Sequence, residues 1–264
     1  PFLTHQPPAH PHYPRISHSA PTSPPLCVGH AAMAAKKRKS TSDPPSSPPL
    51  IVFAHGAGAP SSSAWMQQWK GRMEKVGVVH TFDYDYMAKG KKAPDKHDKL
   101  VAAHVREIGA AVEKYPANAE AGIILAGKSM GSRIGCHVVT ECKEESWMDK
   151  VKALVCFGYP LVGMNGKVRD EVLLQLDLPI LFLRGTRDNM CPKDKLAATV
   201  KKMKCEYEIE VVEAGDHSLN ATKKRLKEEG KTQEELHDKL NETVIAFIQK
   251  TTSGEEEKGK KAKK

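Results

Sequence analysis

The 264-residue chain is poor in aromatic residues, at 6%, and only 39% of it is apolar, with a mean hydropathy of -0.50. No apolar run approaches the length of a bilayer span, and the first residues lack the apolar stretch of a secretory signal. Cysteine is scarce and scattered, at Cys27, Cys136, Cys142, Cys156, Cys191 and Cys205, with no Cys-x-x-Cys pair. A disulfide scaffold and a zinc knuckle are therefore excluded, and a reducing compartment is implied. The expected location is intracellular, in cytoplasm or nucleus, with no membrane partner. No internal repeat is found.

What the chain does have is unevenly distributed. Twelve of its 18 prolines fall within residues 1–49, a segment too poor in apolar clusters to offset the entropy of ordering. The expected organisation is a disordered leader over 1–49, one α/β domain over 50–250, and a disordered charged tail over 251–264. The formal net charge is +9; the leader carries five basic residues against Asp43 and the tail five lysines against three glutamates, leaving +3 for the domain. A nearly neutral fold with no basic stripe argues against nucleic-acid binding by the domain. Lys36-Lys37-Arg38-Lys39 and the lysines of 258–264 read as nuclear-import or polyanion signals, or as solvated charge runs. Met33 opens Met-Ala-Ala-Lys-Lys-Arg-Lys and would serve as a start, which would make His5, His10, His12, His18 and His30 irrelevant to function.

Within 50–250, apolar runs of strand length alternate with helical spacings. Leu50 to Ala54 is a continuous apolar run, as in a strand buried on both faces. Ser61-Ser62-Ser63 can cap the helix that follows, in which Trp65, Trp69, Met73 and Val76 recur on one side. Further strands are expected at Val78–Phe82, Gly122–Ala126, Val151–Phe157, Ile180–Leu183 and Glu208–Val212. Helices are expected through Val101 to Tyr115, stopped by Pro116, over Met130–Glu141, and around Leu196, Val200 and Met203. Thr232 with Glu235 forms a capping box for a last helix that turns Leu236, Leu240, Val244 and Phe247 inward. The fold class is α/β, a mainly parallel sheet with helices on both faces. Only 22 residues separate Phe157 from Ile180, and part of them must form the crossover helix, so a large lid has no room.

Two motifs share one serine. Gly127-Lys128-Ser129-Met130-Gly131 fits G-x-S-x-G, a strand-to-helix elbow that exposes a nucleophile. Gly122 to Ser129 also fits G-x-x-x-x-G-K-[ST], the phosphate loop. That loop would need a strand before Gly122, where the chain has the connector Tyr115 to Ala121, and a flexible loop where it has Ile-Ile-Leu-Ala. The elbow is the better reading. The α/β-hydrolase fold puts its acid and histidine after later strands, in the order Ser, Asp, His, and Asp188 and His217 occupy those loops. Backbone N–H groups of Ala57 and Met130 would hold the oxyanion, with Gly56 the substitute for Ala57. His55 precedes the elbow and is expected to order its loop.

Taken singly, Ser129 could merely end a strand, Asp188 cap a helix and His217 be an ordinary loop histidine. Asp216 is a poor acid because adjacent side chains diverge in an extended loop; Asp194 and Asp177 are fallbacks. No cofactor is implied, and no metal: His97, His104 and His137 show no partners at ligand spacing, and His104 and His137 are expected on helix surfaces.

The runs His55-Gly-Ala-Gly-Ala-Pro-Ser-Ser-Ser, Phe82-Asp-Tyr-Asp-Tyr, Gly127-Lys-Ser-Met-Gly-Ser-Arg133, Gly158-Tyr-Pro, Arg169-Asp-Glu, Met190-Cys-Pro and Gly215-Asp-His217 resemble one family. It is the α/β-hydrolase-like family of the testis-expressed hydrolase-like protein and of a subunit of the non-specific-lethal histone acetyltransferase complex, especially its stand-alone plant members. The resemblance implies a compact fold related to dienelactone hydrolases, with Ser129, Asp188 and His217 at the triad positions. Two functions follow from it: a serine hydrolase acting on a small carboxylic ester or thioester, or a non-catalytic interaction module of the chromatin-associated kind. The first implies a small-molecule acyl substrate as partner, the second a protein.

Overall fold

The computed structural model describes residues 47–253. The expectations for the leader and the tail, including Lys36 to Lys39, the five early histidines and Cys27, lie outside these residues.

The unbroken run Leu50-Ile-Val-Phe-Ala forms strand β1 (Leu50–Ala54), buried along its whole length. Then come α1 (Ala64–Met73), β2 (Val78–Phe82), α2 (Asp85–Ala88), α3 (His97–Lys114), α4 (Pro116–Ala121), β3 (Ile123–Lys128) and α5 (Met130–Glu141). The second half holds β4 (Val151–Phe157), β5 (Ile180–Gly185), α6 (Lys193–Val200), β6 (Tyr207–Val212), α7 (Lys223–Glu229) and α8 (Gln233–Thr252). The six strands form one parallel sheet in the order β2-β1-β3-β4-β5-β6. Its two faces carry separate apolar cores. One packs Leu100 and Ile108 of α3 and Ile134 and Val138 of α5; the other packs Met66 and Trp69 of α1 and Leu240, Val244 and Phe247 of α8. The chain runs outward from β1 in both directions along the sheet, so β1 and β3 flank a switch point, where parallel sheets open a crevice beyond their strand ends.

The expected α/β architecture is present, with local differences. Pro116 ends α3 and also starts α4, since a ring with no N–H fits the first turn of a helix; the connector expected over Tyr115 to Ala121 is helical from Pro116 onward. No α-helix covers the β4–β5 crossover. That segment has an isolated bridge between Val162 and Val168 and one 3₁₀ turn, Leu173–Gln175. Val172, Leu173 and Leu176 bury against the sheet there and serve in the helix's place. Ser63 stands at the N-cap of α1, but its side chain makes no capping bond, whereas the Thr232–Glu235 capping box of α8 is complete. Among the described residues no helix is long and apolar enough to cross a membrane, and the five cysteines are free.

Candidate active site

Strand β3 and helix α5 meet at Ser129, whose backbone sits at φ 50° and ψ -113°, in the left-handed region that a side chain ordinarily avoids. The turn is too tight for Cβ atoms on either side. A Cβ at Gly127 would lie 2.3 Å from the Ser132 nitrogen, and one at Gly131 2.5 Å from the Ala54 carbonyl oxygen. The strained conformer is held by hydrogen bonds. Ser129 N–H donates to the Phe157 carbonyl at 2.9 Å, and the Ser129 carbonyl accepts from Ser132 N–H and Oγ–H at 3.1 and 2.7 Å. Ile123 to Ala126 is strand, so no flexible loop follows Gly122 and the phosphate-loop reading has no geometry behind it.

Asp188 follows β5 and His217 follows β6, and the parallel register carries both loops to the strand ends where Ser129 stands. His217 Nδ1 lies 2.8 Å from Asp188 Oδ2, and Nε2 lies 2.8 Å from Ser129 Oγ. A carboxylate only accepts, so Nδ1 carries the proton and donates it. In the neutral ring Nε2 then accepts from the serine hydroxyl. Asp188 is buried, and its other oxygen accepts from Met190 N–H at 2.9 Å, which fixes its orientation. Asp216 is turned away as expected: its Oδ1 accepts from Ser218 and Asn220 N–H and closes its own loop. Asp194 and Asp177 are exposed and pair with Lys195 and Lys143.

Three described non-glycine residues have positive φ: Ser129, Ala214 and Leu219. One is the elbow and the other two flank His217. Backbone strain of this kind persists only where surrounding contacts over-determine it. Here Ala214 N–H donates to Thr186 Oγ1, Arg187 N–H donates to the Gly215 carbonyl, and Gln233 Nε2 of α8 donates to the Leu219 carbonyl.

A cleft of about 570 Å³ opens over Ser129 and His217, with Ala57, Trp65, Met66 and Lys128 in its walls. Ala57 follows β1 at the switch point, where its carbonyl accepts from Tyr86 O–H at 3.1 Å. Met130 begins α5, so its N–H has no partner four residues back within the helix. His55 is buried, and its ring donates from Nδ1 to the Gly56 carbonyl at 2.6 Å while Nε2 accepts Tyr84 N–H at 3.1 Å. Burial lowers its pKa, and both nitrogens serve the loop.

Lys128, read in the sequence only as the lysine of the discarded phosphate loop, stands beside His217. It is the unspecified residue of G-x-S-x-G, which gives it no signal. Its ammonium donates to the His217 carbonyl and stands 5.3 Å from the centre of the Trp65 ring. Burial depresses its pKa to about 8, against the pull of Asp188 and Asp216. Trp65 also donates from Nε1 to the Ser218 carbonyl at 2.9 Å. The run Phe82-Asp-Tyr-Asp-Tyr likewise gains a physical account. Asp83 accepts Ser61 N–H, while Tyr84 and Tyr86 brace His55 and Ala57.

The histidines of α3 and α5 depart from expectation. His104 is fully buried rather than on a surface, with Nδ1 3.1 Å from Tyr84 Oη, and burial pushes its pKa down to about 3. His137 is half-buried on α5. His97 and His137, read as lacking partners, meet at Glu141, because α3 packs along α5 and Glu141 lies one turn beyond His137.

Over residues 47–249 the chain matches the family described as alpha/beta hydrolase domain. Three solved structures illustrate the likeness. Est1E from Butyrivibrio proteoclasticus, bound to ferulic acid, is 16% identical with a TM-score of 0.57, covering 79% of this chain and 93% of that one. An alpha-beta serine hydrolase homologue from Coxiella burnetii is 16% identical with a TM-score of 0.56, covering 75% and 84%. Thermogutta terrifontis esterase 2, phosphonylated by sarin, is 17% identical with a TM-score of 0.57, covering 80% and 87%. At such identities the structures speak to the fold, and the family match spans most of the sequence. The chain therefore belongs to the alpha/beta hydrolase domain family.

Proposed function

We propose that the protein is a serine hydrolase of small carboxylic esters or thioesters, and a member of the branch that holds the testis-expressed hydrolase-like protein and the non-specific-lethal complex subunit. The observation that carries the activity is the unbroken relay from Ser129 Oγ through His217 to buried Asp188, opening into the cleft. As the Ser129 oxygen attacks the acyl carbon, His217 Nε2 takes the hydroxyl proton, and Asp188 stabilises the imidazolium. The N–H groups of Ala57 and Met130 receive the oxyanion, Met130 aided by the positive end of α5. His217 returns the proton to the leaving alcohol or thiol, and water then repeats the sequence to release the acid. No cofactor enters these steps. With no large lid over the cleft, acetyl and butyryl esters should be turned over faster than long-chain esters.

An organophosphonate, which reacts as a tetrahedral mimic of the acyl transition state, tests the reading; the Thermogutta esterase reacts with such reagents. One adduct per chain on Ser129 is expected by intact mass and peptide mapping, with none in Ser129→Ala and little in His217→Ala. Absence of labelling in wild type, under conditions that saturate a known serine hydrolase, would replace this reading with the non-catalytic interaction module.

A further inference from the structure

We propose that His97, His137 and Glu141 form a binding site for one divalent cation of the zinc class, clasping the start of α3 to the end of α5. His137 and Glu141 are four residues apart on α5 and so share a face. His97 is the first residue of α3 and comes to them only through helix packing. His137 Nδ1 lies 2.7 Å from Glu141 Oε1, and His97 Nε2 lies 3.2 and 3.0 Å from the two Glu141 oxygens. One donor atom from each residue falls within 4.8 Å of the others. The imidazole rings meet edge to face, with centroids 4.4 Å apart and planes at 76°.

Around tetrahedral zinc, with bonds of about 2.0–2.2 Å, neighbouring ligand atoms stand roughly 3.4 Å apart. On Glu141 Oε1 the present separations of 2.7 Å to His137 Nδ1 and 3.2 Å to His97 Nε2 need to open by about 0.7 and 0.2 Å. Two imidazoles and one carboxylate are a zinc-type donor set, whereas calcium and magnesium prefer oxygen alone. The same lone pairs that a tautomer shift frees can turn from sharing protons to holding the cation. Arg133 opposes it: its NH1 lies 3.1 Å from His137 Nε2, which would carry the proton once Nδ1 is a ligand. That contact must open, which weakens the site without removing a ligand. Ser129 precedes the first residue of α5 and Glu141 is its last, so the cluster lies toward the opposite end of the helix from Ser129, and the inference does not depend on the hydrolase reading.

The test is zinc chloride titrated calorimetrically into the full chain, first stripped with chelator, in parallel with His97→Ala and Glu141→Gln. Both side chains are partly exposed, at 36% and 43%, so neither substitution threatens the core. Residues 1–46 contain five further histidines, so the readout is the difference between chains that share them. Wild type should bind one more zinc equivalent than either variant, or bind that equivalent at least ~10-fold more tightly, because losing a ligand cannot cost less than losing a residue that merely orients one. Zinc at a fixed concentration should raise the Tm of wild type by more than that of either variant. No zinc uptake by wild type, or equal uptake and affinity in wild type and either variant, would overturn the proposal.

Discussion

The rim of the sheet that carries Ser129 and the flank where α3 packs on α5 each hold a histidine, arranged to opposite ends. At the rim, His217 keeps 28% of its side chain open to the cleft and is bonded on both nitrogens, to a carboxylate and to a hydroxyl. On the flank, His104 is sealed, has one partner in Tyr84 and leaves Nε2 unpaired. Strain follows the same division: the described positive-φ residues other than glycine cluster at the rim. Under the proposed function a histidine becomes reactive through a charged partner and an opening, whereas burial alone leaves it neutral and inert. The difference lies in the tertiary surroundings and not in the residue.

The largest effect expected from breaking this contrast is on turnover. Asp188→Asn should retain the fold but lower kcat by about 10⁴-fold, since Nδ1 loses the acceptor that fixes the tautomer. A kcat within tenfold of wild type on a short activated ester would mean that the relay is not in use.

The flank should answer to pH. His104 is held neutral in the fold, with a pKa near 3 against an ordinary 6.5, so the unfolded chain binds the extra proton first as pH falls. The stability this group contributes is intact above pH 6.5 and is lost on descending from 6.5 to 3, by roughly 4–5 kcal/mol at most. His104→Leu strands the Tyr84 hydroxyl, which costs about 1–3 kcal/mol at neutral pH. It should nonetheless flatten the acid limb in urea midpoints measured from pH 7 to 4. An unchanged slope would show that His104 does not titrate as its burial dictates.

Lys128 sharpens the comparison at smaller scale, because it puts a buried cation at the rim of the cleft. Lys128→Met removes the donor that pins the His217 carbonyl, and kcat should fall roughly 10- to 100-fold with KM changing less. Stability should move the other way. A lysine whose folded pKa is near 8 instead of 10.5 destabilises the fold most below pH 8, and the penalty fades between 8 and 10.5. The variant should therefore gain up to ~3 kcal/mol at pH 7, less whatever the lost hydrogen bond supplied, with the gain shrinking toward pH 10.5. A variant that is less stable at pH 7 and equally active would remove Lys128 from the site.

Much of the fold and the centre of the site were open to reading in the sequence. Strand β1 declares itself because five consecutive apolar residues suit only an element buried on both faces, and α8 because its capping box is local. The elbow is contiguous, so its two glycines and serine can be seen together. Asp188 and His217 could be placed because a parallel sheet orders its loops along one edge. What escaped was what contiguity does not record. Pro116 marks a stop and a start alike, and the β4–β5 crossover replaces a helix with three buried apolar side chains. The burial of His104 escapes a reading by polarity: three residues after Val101 and four before Ile108, its ring shares the apolar face of α3, and only the packing shows that a histidine there is sealed.

By itself, then, the sequence determined the alternation of strands and helices, the turn at Ser129 and the order of the three residues around it, all consequences of local sterics and hydrophobic period. Tertiary structure alone decided that Lys128 reaches beneath His217, that Tyr86 holds Ala57, and that His97 meets His137 and Glu141. Each of these contacts joins residues well apart in the chain, by side chains whose partners are chosen only when the sheet and helices have packed. Burial then set their chemistry, depressing Lys128 and His104 by desolvation that no neighbouring residue in the sequence foretells.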